Sequence, residues 1–137
     1  MLKSFVRFGT KHSGMVENFN SGGILCYLDQ NGSFTEGFVI SDFRNMSVKN
    51  IQNLPDTNLP LQGRIPHWDV IESIVEKTDR LFPMLNYLGF DFVVTSDDKV
   101  KILEINSLTS LDSFQMDSSV FDSKIGRTFF SDLLSRK

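Results

Sequence analysis

The chain has 137 residues, a formal charge of −3 and a 40% hydrophobic composition that includes 13 phenylalanines. That is enough large apolar surface for one ordinary folded domain of roughly 100–200 residues, and it excludes intrinsic disorder. The acidic balance and the scattered Lys3, Arg7 and Lys11 exclude a basic nucleic-acid surface. One cysteine, Cys26, excludes a disulfide framework within the chain and a cysteine-based zinc site.

The start, Met1-Leu2-Lys3-Ser4-Phe5, has no apolar signal region, and no segment approaches the roughly 20 apolar residues of a membrane span. A cytoplasmic location is the expectation. Leu2 to Gly9 reads as a strand around Phe5, Val6 and Phe8. A polar run to Gly22-Gly23 comes next, and then Ile24 to Leu28 and Ser33 to Ile40, with Asn31-Gly32 between them. Asn-Gly tolerates positive φ, so the pair is read as a hairpin. Ser41 to Pro66 holds three of the four prolines and no sustained period, which predicts a long loop.

From Pro66 the period changes. Trp68, Ile71, Ile74, Val75, Thr78, Leu81, Phe82 and Leu85 follow helical spacing, with Asp69 and Glu72 early and Lys77 and Arg80 late. Pro83 is expected to end or kink the helix. Gly89 to Thr95 and Lys99 to Ile105 alternate around Ser96-Asp97-Asp98, a second hairpin. Val120, Phe121, Ile125, Phe129, Phe130, Leu133 and Leu134 predict a terminal helix. The fold class is therefore α+β, a largely antiparallel sheet with flanking helices. The pattern shows no clear internal boundary.

The second hairpin carries the chemistry. In a symmetric register the paired numbers sum to 195, so Thr95 faces Val100, Val93 faces Ile102 and Asp91 faces Glu104. Side chains repeat every two residues, which adds Asn106 to the Glu104 face and Val93 to the Asp91 face. Directly opposed carboxylates repel. A hard divalent cation relieves that repulsion, and Mg²⁺ favours one or two carboxylates together with phosphate oxygens. Acidic strand residues are also ordinary solvated side chains, and spacing alone leaves both readings open.

Gly89-Phe90-Asp91-Phe92-Val93-Val94, a short turn and Ile102-Leu103-Glu104-Ile105-Asn106-Ser107 resemble the end of an ATP-grasp domain. The Asp91-to-Glu104 spacing and the Glu-x-Asn step are similar to the metal triad of D-alanine–D-alanine ligases. Asn18-Phe19-Asn20-Ser21-Gly22-Gly23 is similar to a stretch of glutamate-ligating ATP-grasp enzymes. Pro55-Asp56-Thr57 and Ile65-Pro66-His67-Trp68-Asp69 look most like the sugar-transfer-associated branch.

The resemblance implies ATP and Mg²⁺ as cofactors, with Asp91, Glu104 and Asn106 as metal ligands and Leu103 as a nucleotide contact; strand parity offers Val93 as a second. The family's usual arginine before the Asp is replaced by Phe90. Arg7 is the best alternative for phosphate, its other reading being a solvated strand arginine. Relatives often have Pro-Gly after Glu-x-Asn, and here Leu108-Thr109-Ser110 stands instead.

Position 1 matches a point well inside the family's fold. The expectation is a single C-terminal lobe over 1–137, with the preceding lobe missing and the chain alone inactive. The implied function is the ATP- and Mg²⁺-binding half of a carboxylate–amine ligase acting on an unknown small-molecule acceptor, with a link to polysaccharide or cell-surface biosynthesis. One alternative is a non-catalytic remnant that forms a homodimer. Another is an ATP-grasp kinase acting on a sugar or polyol hydroxyl. His67 reads as a capping or loop residue rather than a base, and His12 and His67 show no metal-ligand spacing. Cys26 reads as a buried strand residue.

Overall fold

A computed structural model describes all residues except 12, 15–18, 46, 86, 108, 136 and 137. His12 and Asn18 therefore lie outside the described residues. The chain is α+β and forms two compact units, one of residues 1–64 with 112–137, the other of residues 65–111.

The first unit is built on strands β1 (Phe5–Phe8), β2 (Ile24–Tyr27), β3 (Ser33–Phe34), β4 (Gly37–Asp42), β5 (Ser47–Ile51) and β6 (Gly63–Arg64). Four of them form an antiparallel sheet in the order β1-β2-β4-β5, and β3 pairs with β6. Strand β2 is central. Ile24, Leu25 and Cys26 are fully buried, because both faces of the sheet are covered. On one face Leu25 packs with Phe19, Phe38 and Ile40; on the other Ile24 and Cys26 pack with Leu61. A continuous apolar run is what a strand buried on both sides requires.

Asn31-Gly32 does turn the chain. Gly32 has φ 75°, and the Asp29 carboxylate accepts from the backbone N–H of Asn31 and Ser33. The strands on either side do not form the predicted simple hairpin. Strand β3 leaves to pair with β6, and β2 meets β4 at Leu25–Phe38. The loop predicted over Ser41 to Pro66 is also corrected, since it contains β5 and β6. Strand β5, Ser47-Val48-Lys49-Asn50-Ile51, is a largely exposed edge strand paired with β4. A polar edge strand lacks the alternation that marks a half-buried one.

The Cys26 thiol is pushed up to about 12, first by burial and then by the nearby Glu36 charge. Roughly one thiol in ten thousand is then ionised at pH 8. Aromatic disulfide reagents are expected to leave native Cys26 untouched and to titrate one thiol in guanidinium; rapid native labelling would contradict the buried β2.

Residues 112–135 return to this unit. The Tyr27 hydroxyl donates to the Ser113 carbonyl and accepts from the Met116 N–H, and Lys3 bonds the Phe114 carbonyl and Asp117. The terminal helix is split. A short 3₁₀ turn, Val120–Asp122, is capped by reciprocal Ser119 and Asp122 bonds, and α2 spans Lys124–Ser135. The Ser123 hydroxyl accepts from the Gly126 N–H at the start of α2.

The second unit holds α1 (Trp68–Leu81), β7 (Gly89–Val94) and β8 (Val100–Asn106). The helix begins where its period began, with Trp68 and Ile71 buried. It ends at Leu81, where Pro83 is expected to stop it, four residues before the helical spacing runs out at Leu85. Phe82 leaves the helical region at φ −129°, as a residue before proline is biased to do. Leu81 and Leu85 are exposed. Among the described residues no helix is long and apolar enough to cross a membrane.

Candidate functional site

Strands β7 and β8 form an antiparallel hairpin in which Gly89 pairs with Asn106, Phe90 with Ile105 and Asp91 with Glu104. Asp91 and Glu104 therefore stand directly opposite, about 4.5–5.5 Å apart at Cβ. Asn106 lies two residues along β8, on the same face. Asp91 and Asn106 are half-buried and Glu104 is exposed.

Beyond this rung the symmetric register fails. Phe92 pairs with Ile102, Val93 with Lys101 and Val94 with Val100. The expected pairs Val93–Ile102 and Thr95–Val100 are corrected by one residue. Leu103 is the extra residue of a β-bulge and is 69% exposed.

The physical reason lies in the side chains of β8. Without a bulge, Val100 and Ile102 would share a face with Glu104 and Asn106, while Lys101 would stand among Phe90, Phe92 and Ile105. The extra residue shifts the phase. Phe90, Phe92, Val94, Val100, Ile102 and Ile105 come to one face, and Asp91, Val93, Lys101, Glu104 and Asn106 to the other. Phe90 and Phe92 stack with ring centroids 5.7 Å apart. Phe90 thus belongs to the apolar face. Sequence reasoning missed Lys101; the signal for it was the phase break, with apolar residues at 100 and 102 and then at 105.

Both ends of the hairpin are fixed. Past Asn106, the Tyr87 hydroxyl donates to the Thr109 carbonyl at 2.8 Å, and a Cβ on Gly89 would meet the Thr109 hydroxyl at 2.7 Å. Leu108 lies outside the described residues. At the tip, His67 Nε2 lies 2.8 Å from Asp98 Oδ1, joining the start of α1 to the turn. Both residues are left-handed, at φ 55° and 61°. His67 occupies the N-cap position, yet its side chain makes no cap bond and serves the turn instead.

The Lys99 ammonium, and then the Thr95 hydroxyl, bond the Asp97 carboxylate and hold its pKa below the ordinary 3.8. A depressed carboxyl contributes stability above its unfolded value and loses it as pH falls through the folded value. Carboxyl-carbon NMR is expected to titrate Asp97 below 3.8 and to move it upward in Lys99→Met; a wild-type midpoint at or above 3.8 would contradict the bonded turn.

Arg7 lies on edge strand β1, opposite Leu25, and is exposed. It belongs to the first unit, whereas Asp91, Val93, Leu103, Glu104 and Asn106 belong to the second. Among the described residues no group of three or more His, Cys, Asp or Glu could hold a metal. The hairpin set has a different composition, two carboxylates and an amide. These are hard oxygen donors, the chemistry that Mg²⁺ takes when phosphate or water completes its shell. The residues present therefore fit that ion.

The family described as sugar-transfer associated ATP-grasp matches residues 1–127. The chain belongs to this family. No curated protein and no solved structure matches it significantly. Membership supports nucleotide binding by an ATP-grasp, ligase-type domain, and the α+β architecture with antiparallel sheets agrees with part of such a domain.

Proposed function

We propose that the β7–β8 hairpin is the metal- and phosphate-binding edge of an ATP-grasp carboxylate–amine ligase, serving polysaccharide or cell-surface biosynthesis. The observation that carries this is the direct pairing of Asp91 with Glu104, with Asn106 on the same face. Two opposed carboxylates cost stability in an empty sheet. A site that binds a divalent cation repays that cost.

Bound Mg²⁺ would neutralise phosphate charge and so make the terminal phosphoryl group easier to transfer. The residues themselves do the holding. Asp91 and Glu104 supply anionic oxygens and Asn106 a neutral carbonyl oxygen. Val93 stands beside Asp91 on β7, and Leu103 projects from the bulge. Both are proposed as apolar contacts to the nucleotide, a bulge being a device that re-aims a side chain near a site. Arg7 is proposed as an anion-binding arginine on its own chemistry, since its planar fork of donors suits phosphate. Positioning and charge neutralisation need no covalent nucleophile.

An electron-paramagnetic-resonance titration with Mn²⁺ tests the reading. Saturable uptake by the wild-type chain, lost in Asp91→Asn, is expected. Equal uptake by the two proteins would overturn the assignment.

A further inference from the structure

The bulge at Leu103 brings a cation to the acidic face of the hairpin. We infer that Lys101 is a phosphate-binding residue of this site, one whose positive charge also weakens the hold of the hairpin on a bare divalent cation. The inference rests on the metal reading of the hairpin and extends it to a group that strand alternation had placed on the opposite face.

Lys101 pairs with Val93, two rungs from the Asp91–Glu104 pair. That separation is about 7 Å along the strands, at roughly 3.4 Å per residue. A four-carbon lysine stem spans a similar distance, so the ammonium is within reach of a phosphate held at the carboxylate rung. Lys101 is exposed and has no ion-pair partner among the described residues. Lys99, two positions earlier, is instead held by Asp97 at 2.7 Å. The two lysines of β8 and its turn therefore have different tasks: Lys99 closes the turn, and Lys101 belongs to the face that carries Asp91 and Glu104.

The bulge has a structural benefit of its own, since it keeps the lysine away from Phe92 and Ile105. The same shift gives the site a mixed charge pattern. Two carboxylates attract the divalent cation, and one ammonium beside them suits the phosphate oxygens that such a cation brings. Lysine serves as a point charge for phosphate without demanding a fixed fork geometry.

The test measures Mn²⁺ affinity by electron paramagnetic resonance, with and without inorganic triphosphate, in wild type, Lys101→Met, Lys101→Arg and Lys99→Met. Removing the Lys101 charge is expected to tighten bare Mn²⁺ by about three- to tenfold, because a like charge leaves the site. It is expected to weaken triphosphate capture by the Mn²⁺-loaded chain by a similar factor. Lys101→Arg restores both values, and Lys99→Met changes neither by more than about twofold. Circular dichroism and melting keep folding separate from binding, and the exposed position makes each variant foldable. Wild-type uptake of Mn²⁺ with no change in Lys101→Met, or equal changes in Lys99→Met, overturns the role of Lys101 alone. No uptake by wild type overturns the metal reading itself, and the inference with it.

Discussion

Gly126→Ala is expected to destabilise the first unit by about 3 kcal/mol or more, at or beyond the upper end of an ordinary overpacking penalty. A Cβ on Gly126 would lie 1.9 Å from the Val120 carbonyl oxygen and 2.9 Å from the Ser123 hydroxyl. Neither neighbour can yield cheaply. The Val120 carbonyl is backbone and accepts from the Ser123 hydroxyl, which itself accepts from the Gly126 N–H. The 3₁₀ turn at Val120–Asp122 and the start of α2 close on each other at this glycine. With a total stability of roughly 5–15 kcal/mol for a domain, such a loss is a large share. A fall in melting temperature of about 10 °C is the expected reading. An unchanged melting temperature would mean that the turn and helix do not meet as described.

The second large effect is that of Glu104→Gln on metal affinity. The substitution keeps the shape of the side chain and removes one of the two opposed charges. Outer-shell changes at metal sites cost about 10- to 100-fold in affinity, so loss of a direct anionic ligand is expected to cost about 100-fold or more. If the proposed ligase reading holds, the same change is expected to abolish turnover with Mg²⁺ and ATP. Metal-free stability should move the other way, unchanged or slightly raised, because a like-charge pair across the strands is relieved. A large fall in metal-free melting temperature would instead make Glu104 a structural carboxylate, and unaltered metal affinity would remove it from the ligand set.

The elements most legible in the sequence were those with a strong period and a clear stop. Helix α1 announced its start at Trp68 through Pro66 and the spacing of apolar residues, and the turn at Ser96-Asp97-Asp98 fixed the second hairpin. Strand β2 was legible as a short apolar run. Strand β5 was not, because Ser47, Lys49 and Asn50 are exposed on an edge and carry no burial pattern. The Asn31-Gly32 turn was legible, but not the departure of β3 to meet β6, since pairing partners distant in sequence leave no local signature. Residues 41–64 belong with the first unit and residues 65–111 form the second, a division that composition does not mark.

At the candidate site the Asp91–Glu104 rung came from simple counting, because it lies on the far side of the bulge from the turn, and there the sum of paired numbers is the assumed one. The rungs nearer the turn did not. One extra residue leaves the count near Asp91 intact while it exchanges Ile102 for Lys101 opposite Val93. Alternation assumes a constant phase, and a bulge is a change of phase. The face assigned to Glu104 and Asn106 was therefore readable, and the lysine beside them was not.

The central claim, that Asp91, Glu104 and Asn106 together receive a divalent cation, is tested most directly by mapping where Mn²⁺ broadens the NMR signals of the isotope-labelled chain. Sub-stoichiometric Mn²⁺ is predicted to erase the backbone signals of residues 91, 104 and 106 first, with loss spreading outward along β7 and β8 and reversed by excess Mg²⁺. Broadening centred on the exposed carboxylates of the first unit, with the hairpin signals intact, would contradict the account.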